Sequence, residues 1–311
     1  MGKSSLVRIR EGVALGDLHF EGQVESVATY LVETRDGLAV VDPGPTSCAE
    51  AFHEALRLFG AGPDDIRHVL LTHIHLDHAG YTGALVRAVP RATVYVHEVG
   101  APHLLDPSRL LASARRIYGS DMERLWGDFL PVPVDRLEVL SGGERLDLGE
   151  RRWRVAATPG HAIHHVAFLD EREGIAWTGD VAGEATQHGT PALPAAPPPD
   201  IDLDAWRASL DVLEGWRAEQ LLLTHFGPVA DPAAHLRELW ARIVDWADKV
   251  RASLDEPGTD EERAAQFAEA EWEFLARGLP AEQAAWIHRT TIESSWPGLA
   301  RYWRKRGAAS A

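Results

Sequence analysis

His73-Ile74-His75-Leu76-Asp77-His78 places four potential metal ligands within six residues, and its flanks say how they are presented. Val69-Leu70-Leu71-Thr72 before it is a short apolar run of the kind that forms a buried strand, so the histidines fall where that strand emerges into a loop. Ala79-Gly80-Tyr81 then leads into a helix-like stretch through Val89. On a helix His73 and His75 would face opposite sides, whereas in a bent loop two neutral imidazoles can converge on one ion, as they do on zinc. Asp77 and His78 are adjacent and face a second centre, so the segment offers a two-metal site. Further ligand types close three other apolar runs: His161 in Thr158-Pro159-Gly160-His161, Asp180 in Thr178-Gly179-Asp180, and His225 in Leu223-Thr224-His225. Strand ends of this kind are where α/β sheets build their sites.

In this order, the pattern His-x-His-x-Asp-His, Gly-His, Asp, His resembles that of the metallo-β-lactamase superfamily over about Val24 to His225. The resemblance implies an α/β (α+β) fold, a four-layer αββα sandwich, here followed by a C-terminal helical extension. It also implies two divalent metal ions: zinc, with iron or manganese as alternatives. His73, His75 and His161 would hold the first ion, Asp77, His78 and His225 the second, and Asp180 would bridge them. Asp42, before Pro43-Gly44, matches a carboxylate that steadies the His73 loop rather than a ligand, and His165 is expected to act similarly. Within the superfamily the chain is most similar to the glyoxalase-II-like hydrolases. Gly179-Asp180-Val181-Ala182-Gly183, the proline-rich 191–199 stretch, and Trp206 leading to Thr224-His225-Phe226-Gly227 carry that likeness. His164 stands where the family's Gly-His-Thr-x-Gly-His stretch has its second glycine, and no glutathione-binding residues can be placed.

Two close cations sharing an anionic bridge can supply hydroxide near neutral pH, polarise a carbonyl and hold a departing thiolate or alkoxide. The expected function is therefore metal-dependent hydrolysis of an ester, thioester or lactone by a hydroxide bridging the two metals. Asp77 is the catalytic candidate, able to relay a proton as well as ligate. An alternative keeps His73, His161 and Asp180 around one iron, as in the persulfide dioxygenases of the superfamily. A non-catalytic, metal-stabilised module is a third reading.

A chain of 311 residues, 45% of them hydrophobic, can bury a large core. The formal charge of −16 disfavours nucleic acid, which needs a clustered basic surface, and leaves a small-molecule substrate as the expected partner. Arg301, Arg304, Lys305 and Arg306 read as cations at a helix end. Met1 to Glu11 has no apolar signal core and no stretch is long enough to span a bilayer, so neither membrane nor export is expected. With the single cysteine, Cys48, this points to the cytoplasm.

Residues 1–230 read as the catalytic domain, with a strand pair at 26–32 and 38–41, a helix at 49–59, a strand at 92–96, helices from 99 to 126, short strands from 137 to 169 and a helix at 203–217. Residues 231–311 read as a helical region packing on it, with helices at 232–253, 260–277 and 280–295. Their faces carry Trp240, Trp246, Trp272, Trp286, Trp296 and Trp303, which suit a core, a roof over the site or a homodimer contact. Residues 183–199 read as a stiff surface strap at the cleft mouth. His164 and His188 lie near the expected cleft, whereas His19, His53, His68, His97, His103, His235 and His288 read as ordinary histidines. Leu70-Leu71-Thr72-His73 recurs as Leu222-Leu223-Thr224-His225, an echo that a duplicated half would place on facing sides of one cleft.

Overall fold

Short apolar runs broken by glycine and aspartate build two mixed sheets in the computed structural model, which describes residues 6–185, 191–275 and 279–309. The first sheet has the order β1 (Leu6–Arg10), β2 (Val13–Asp17), β3 (Ala28–Thr34), β4 (Gly37–Val41), β5 (Ile66–Leu70), β6 (Thr93–His97) and β7 (Leu137–Leu140). Its first four strands are antiparallel neighbours, and β4 to β7 run parallel. The second sheet is ordered β13 (Gly227–Val229), β12 (Gln220–Leu223), β11 (Ile175–Trp177), β10 (Val166–Asp170), β9 (Arg151–Ala157) and β8 (Arg145–Leu148). Only β11 and β12 pair in parallel within it.

The sheets face each other across a core that includes Leu15, Tyr30, Val41 and Leu70 from one and Trp153, Phe168, Trp177 and Leu222 from the other. Strands apolar on both faces need cover outside as well. Helices α1 (Ala49–Phe59), α2 (Leu76–Ala79), α3 (Thr82–Ala88), α4 (Ala101–Leu105), α5 (Ser108–Tyr118) and α6 (Met122–Trp126) follow strands of the first sheet, and Phe52, Leu56, Leu85 and Trp126 pack outside it. Outside the second lie α7 (Leu203–Trp216), α8 (Pro232–Ser253), α9 (Asp260–Leu275), α10 (Ala281–Ile287) and α11 (Glu293–Ala309). Trp206, Trp246 and Trp296 are fully buried there, in one cluster with Leu221 and Leu223 of β12. The result is the expected four-layer αββα sandwich with a C-terminal helical extension.

Three departures from the sequence reading have physical causes. Strands β1 and β2 extend the first sheet at its edge, where Arg8 and Arg10 on partly exposed β1 mask its apolar residues. The last helix does not stop at Ser295 before Pro297; a π-turn at His288–Ile292 joins α10 to α11, which runs through Pro297 to Ala309. Pro297 has no N–H to donate, and such a gap is best tolerated beside a π-turn, where the regular hydrogen-bond ladder is already interrupted. The proline-rich strap is not exposed along its middle, because Ala192, Leu193, Ala195 and Ala196 are buried beneath the C-terminal helices, while Pro199 at its end is exposed. Residues 186–190, with His188, lie outside the described residues.

Candidate metal centre

Each sheet delivers its ligand types at strand ends, and the sandwich brings all seven together. His73 leaves the segment after β5, and the short helix α2 turns Asp77 and His78 back beside it. From the second sheet, His161 follows β9, Asp180 follows β11 and His225 follows β12. His73, His75, His161 and Asp180 offer ligand atoms that all lie within 4.8 Å of one another, as do those of Asp77, His78 and His225. Asp180 sits between the two groups. Its Oδ2 is 3.4 Å from His161 Nε2 and 3.9 Å from His73 Nε2, while Oδ1 is 3.2 Å from His78 Nε2 and 3.6 Å from His225 Nε2.

The outer nitrogens of four imidazoles are committed to the protein. His78 Nδ1 bonds Asp42 Oδ2 at 2.8 Å, His161 Nδ1 bonds the Ala195 carbonyl at 2.7 Å and His225 Nδ1 bonds the Ser26 carbonyl at 2.7 Å. His73 Nδ1 meets Thr72 Oγ1 at 3.2 Å, and since that hydroxyl donates to Asp42 Oδ2 at 2.7 Å it is left to accept. All four rings must therefore carry hydrogen on Nδ1, which turns an Nε2 lone pair inward in the neutral form. His165 differs: its Nδ1 bonds Thr158 Oγ1 at 2.8 Å and its Nε2 accepts from the Asp180 backbone N–H at 3.2 Å, so it orients Asp180 instead of facing the centre.

This donor set fits metal ions. His73 Nε2, His78 Nε2 and Asp180 Oδ1 are buried with no hydrogen-bond partner, a costly state for polar atoms unless a cation satisfies them. His78 Nε2 and Asp180 Oδ1 are close, yet not aligned for a hydrogen bond. Burial, with the crowding of neighbouring histidines, holds His73 well below its ordinary pKa, and burial and His161 hold His75 down at about 3. These rings are neutral, as ligands must be. At the second group burial again opposes charge, but Asp180 and Asp77 overcome it, lifting His78 well above its ordinary value and His225 to about 10. Burial works against ionisation of Asp77 too, yet His78 and His225 hold it at about 2. The Asp180 and Asp77 carboxylates thus demand positive charge at this point.

Asp42 does more than support one loop. Fully buried, it also accepts from the Thr72 backbone N–H at 2.8 Å and from Thr224 Oγ1 at 3.0 Å, so one carboxylate joins the ends of β5 and β12. His164 flanks the first group, parallel to His73 with ring centres 6.0 Å apart and edge-on to His75 at 5.5 Å, and its Nδ1 is buried without a partner. Several other histidines have plain structural bonds: His53 to Tyr81, His68 to Tyr95 and His235 to the Ala182 carbonyl. Sequence reasoning missed Glu184, partly buried and hydrogen-bonded to Thr291, whose carboxyl burial pushes up to about 7. It also missed Ser26 and Ala195, which act through backbone carbonyls that leave no residue-type signal. Trp286 and Ile287 of α10 line a cavity together with His225, Glu25 and Glu184, so the tryptophan-bearing face reaches the centre as well as the core.

Comparison with known proteins agrees with this geometry. The family model described as the metallo-beta-lactamase superfamily matches residues 22–225. The metallo-beta-lactamase fold-containing protein ST1585 of Sulfurisphaera tokodaii is 28% identical over 222 residues, covering 70% of this chain and 79% of its own. Thioesterase pkgB of Emericella nidulans is 28% identical over 193 residues, covering 62% of this chain but 44% of its own. The crystal structure of the metallo-beta-lactamase family protein TTHA1429 from Thermus thermophilus superposes with a TM-score of 0.70 at 24% identity, covering 97% of this chain and 96% of that one.

Proposed function

The chain belongs to the metallo-β-lactamase superfamily, and from that premise we propose that it hydrolyses a small ester, thioester or lactone with two bound divalent metal ions. The observation that carries this is the position of Asp180, one carboxylate with an oxygen toward each ligand group. In this reading His73, His75 and His161 hold one ion, Asp77, His78 and His225 the other, and Asp180 both. Two such cations, zinc by donor type, supply an activated water and draw electron density from a substrate carbonyl.

The protein's own part is orientation and proton handling. The Nδ1 bonds of His73, His78, His161 and His225 lock each ring before substrate arrives, and His165 fixes the Asp180 main chain. Asp77 keeps 23% of its side chain exposed where His73 and His78 keep none, so it is the carboxylate in this group that a cleft-bound substrate can reach. That placement suits it to receive a proton and pass it to a leaving group. The name of the thioesterase relative supports the thioester arm. Glutathione is the substrate a glyoxalase-II-like grouping adds; the small cavity beside His225 carries Glu25 and Glu184 with no Arg or Lys among its lining residues, so it offers no cation to a glutathione carboxylate. A one-iron centre would draw on His73, His161 and Asp180 of the first group, and metal content per chain separates it from two ions.

Residues 1–230 form the catalytic portion in this reading and 231–311 the helical region packed on it. Single, buried Cys48 fits a reducing, cytoplasmic setting. Among the described residues no helix is long and apolar enough to cross a membrane. The test is metal content per chain in protein purified without added metal, followed by a thioester, lactone and persulfide panel. Two equivalents, with hydrolysis lost on chelation and restored by zinc, are expected. One iron with oxygen uptake on a persulfide would overturn the proposal.

A further inference from the structure

The buried stretch of the strap, residues 192–196, joins the C-terminal helices to the first ligand group. Between Pro194 and Pro199 the backbone N–H groups belong to Ala195 and Ala196, since Pro194, Pro197, Pro198 and Pro199 have none. Ala195 turns its carbonyl to His161 Nδ1 at 2.7 Å. On the far side, Ala196 N–H donates to Ser295 Oγ at 3.2 Å, and that hydroxyl donates to the Thr291 carbonyl at 2.6 Å, with the Pro194 carbonyl at 3.3 Å. Ser295 is completely buried. Gly298, one turn on, lets α11 lie directly against the strap, because a Cβ there would collide with the Ala196 carbonyl. The π-turn keeps Thr291 and Ser295 on the strap side, where Thr291 Oγ1 also donates to Glu184 at 2.6 Å. Arg242 and Arg301 hold the strap's two ends through the Ala192 and Pro199 carbonyls, at 2.9 and 3.2 Å.

We propose that Ser295 is a positioning residue for the first metal: by fixing the main chain at Pro194 to Ala196 it aims the Ala195 carbonyl that orients His161. This rests on His161 being a metal ligand. The C-terminal helices then serve the centre through the strap, and a hydroxyl at 295 is required where packing alone would accept alanine. Groups that orient a ligating histidine commonly change metal affinity by about 10–100-fold when removed. Ser295 acts one residue further out, through a backbone carbonyl, and about 3–10-fold is expected by the same reasoning.

Metal-free wild type, Ser295→Ala, Ser295→Thr and His161→Ala are titrated with Co2+ against a competing chelator, following the cobalt visible spectrum. Urea unfolding of each metal-free protein runs alongside. In Ser295→Ala, the affinity of the site that His161→Ala abolishes should fall, the other site should keep its wild-type affinity, and Ser295→Thr should recover most of the loss by retaining the hydroxyl. Wild-type affinity at both sites in Ser295→Ala overturns the inference alone, given that His161→Ala has lost one. Equal weakening of both sites in proportion to lost stability overturns it too, by showing a general packing role. Cobalt binding unaffected by His161→Ala would instead overturn the ligand assignment on which it rests.

Discussion

Replacing Asp42 with Asn should destabilise the metal-free protein by several kcal/mol and weaken the metal centre, although the two side chains have nearly the same volume. Asp42 Oδ1 accepts from Thr72 N–H, and Oδ2 accepts from Thr72 Oγ1, His78 Nδ1 and Thr224 Oγ1. Its backbone φ is 51°, a left-handed conformation that asparagine tolerates better than most residues, so the substitution tests charge and acceptor count rather than strain. The amide can place its oxygen at the three-donor side and its NH2 against the Thr72 N–H. One hydrogen bond to a charged acceptor is then lost, worth about 1.5–3 kcal/mol, and a buried donor is left unsatisfied at about 1–3 kcal/mol. The opposite flip orphans three donors and is worse. A loss of about 2.5–6 kcal/mol follows, which brackets the range of about 3–5 kcal/mol found when one partner of a buried charged pair is removed. Urea unfolding of the metal-free proteins, followed by tryptophan fluorescence and circular dichroism, measures it. Because His78 loses its anionic acceptor, affinity for the second ion should also fall about 10–100-fold. An Asn variant within about 0.5 kcal/mol of wild type, the scale of an ordinary surface change, and with unaltered metal affinity would refute the reasoning.

Asp180→Ala should lower metal content at both sites and remove most hydrolysis; two tightly held ions with normal turnover would sink the bridging role. His225→Ala should leave the first ion largely bound while hydrolysis drops, as metal analysis after gel filtration can show, and loss of the first ion instead would mean the division into two groups is wrong. Cys48 is 7% exposed and burial pushes its thiol up to about 11. Thiolate forms as pH rises toward that value, so at pH 8 only about one thiol in a thousand is reactive thiolate. Iodoacetamide should spare the folded protein and label it fully in urea, and rapid labelling of the native form contradicts this. Arg151 pairs with fully buried Asp170 at 2.8 Å and reaches across to the Glu33 carbonyl at 2.8 Å. Arg151→Met should cost about 3–5 kcal/mol by leaving that carboxylate unpaired, with metal content unchanged, and a change in metal content would show coupling that the geometry does not predict.

The metal centre was the most legible part of the chain because its information is carried by residue type. Histidines and aspartates at the ends of apolar runs can be read without knowing how the runs pack, and the sandwich brings together all seven that stood there. What orients them was legible only in part. Asp42 was read from the Asp-Pro-Gly that closes its strand, whereas Thr72 and Thr224 stood in the repeated Leu-Leu-Thr-His phrase without an assigned role. The carbonyls of Ser26 and Ala195 could belong to any residues, and only the folded chain shows them beneath His225 and His161. Prolines misled at the strap, because their local effect, loss of an N–H and a fixed φ, says nothing about what lies on the other side. Its prolines suggested a stiff exposed segment, yet the C-terminal helices cover residues 192–196. The helix read as ending at Ser295 continues past Pro297, beside the π-turn, to the cations at 301–306 that were read as a helix end.

The repeated phrase has a structural counterpart in the topology. The strands β2, β3, β4 and β5 pair antiparallel, antiparallel and then parallel, and β9, β10, β11 and β12 do the same. In each set the residue after the third strand, Asp42 or Thr178, bonds the Leu carbonyl of the Leu-Thr-His end, Leu70 or Leu222, at 3.0 and 3.2 Å. Each phrase then passes its threonine carbonyl to the opposite sheet: Thr72 accepts from Val166 at the start of β10, and Thr224 from Ala28 at the start of β3. The match ends where chemistry begins. One member of the corresponding pair is the carboxylate of Asp42, holding both threonine hydroxyls, and the other is Thr178, whose buried hydroxyl has no partner. One phrase continues through His75 to Asp77 and His78, supplying four ligand types in a row, whereas the other turns into β13 after His225 and leaves His161 and Asp180 to arrive from separate strand ends. Because each ligand group therefore draws on both sheets, neither can assemble until the sheets have docked. Binding to the assembled form alone makes metal affinity a direct measure of that docking, which is why a carboxylate remote from substrate, Asp42, should govern stability and metal binding together.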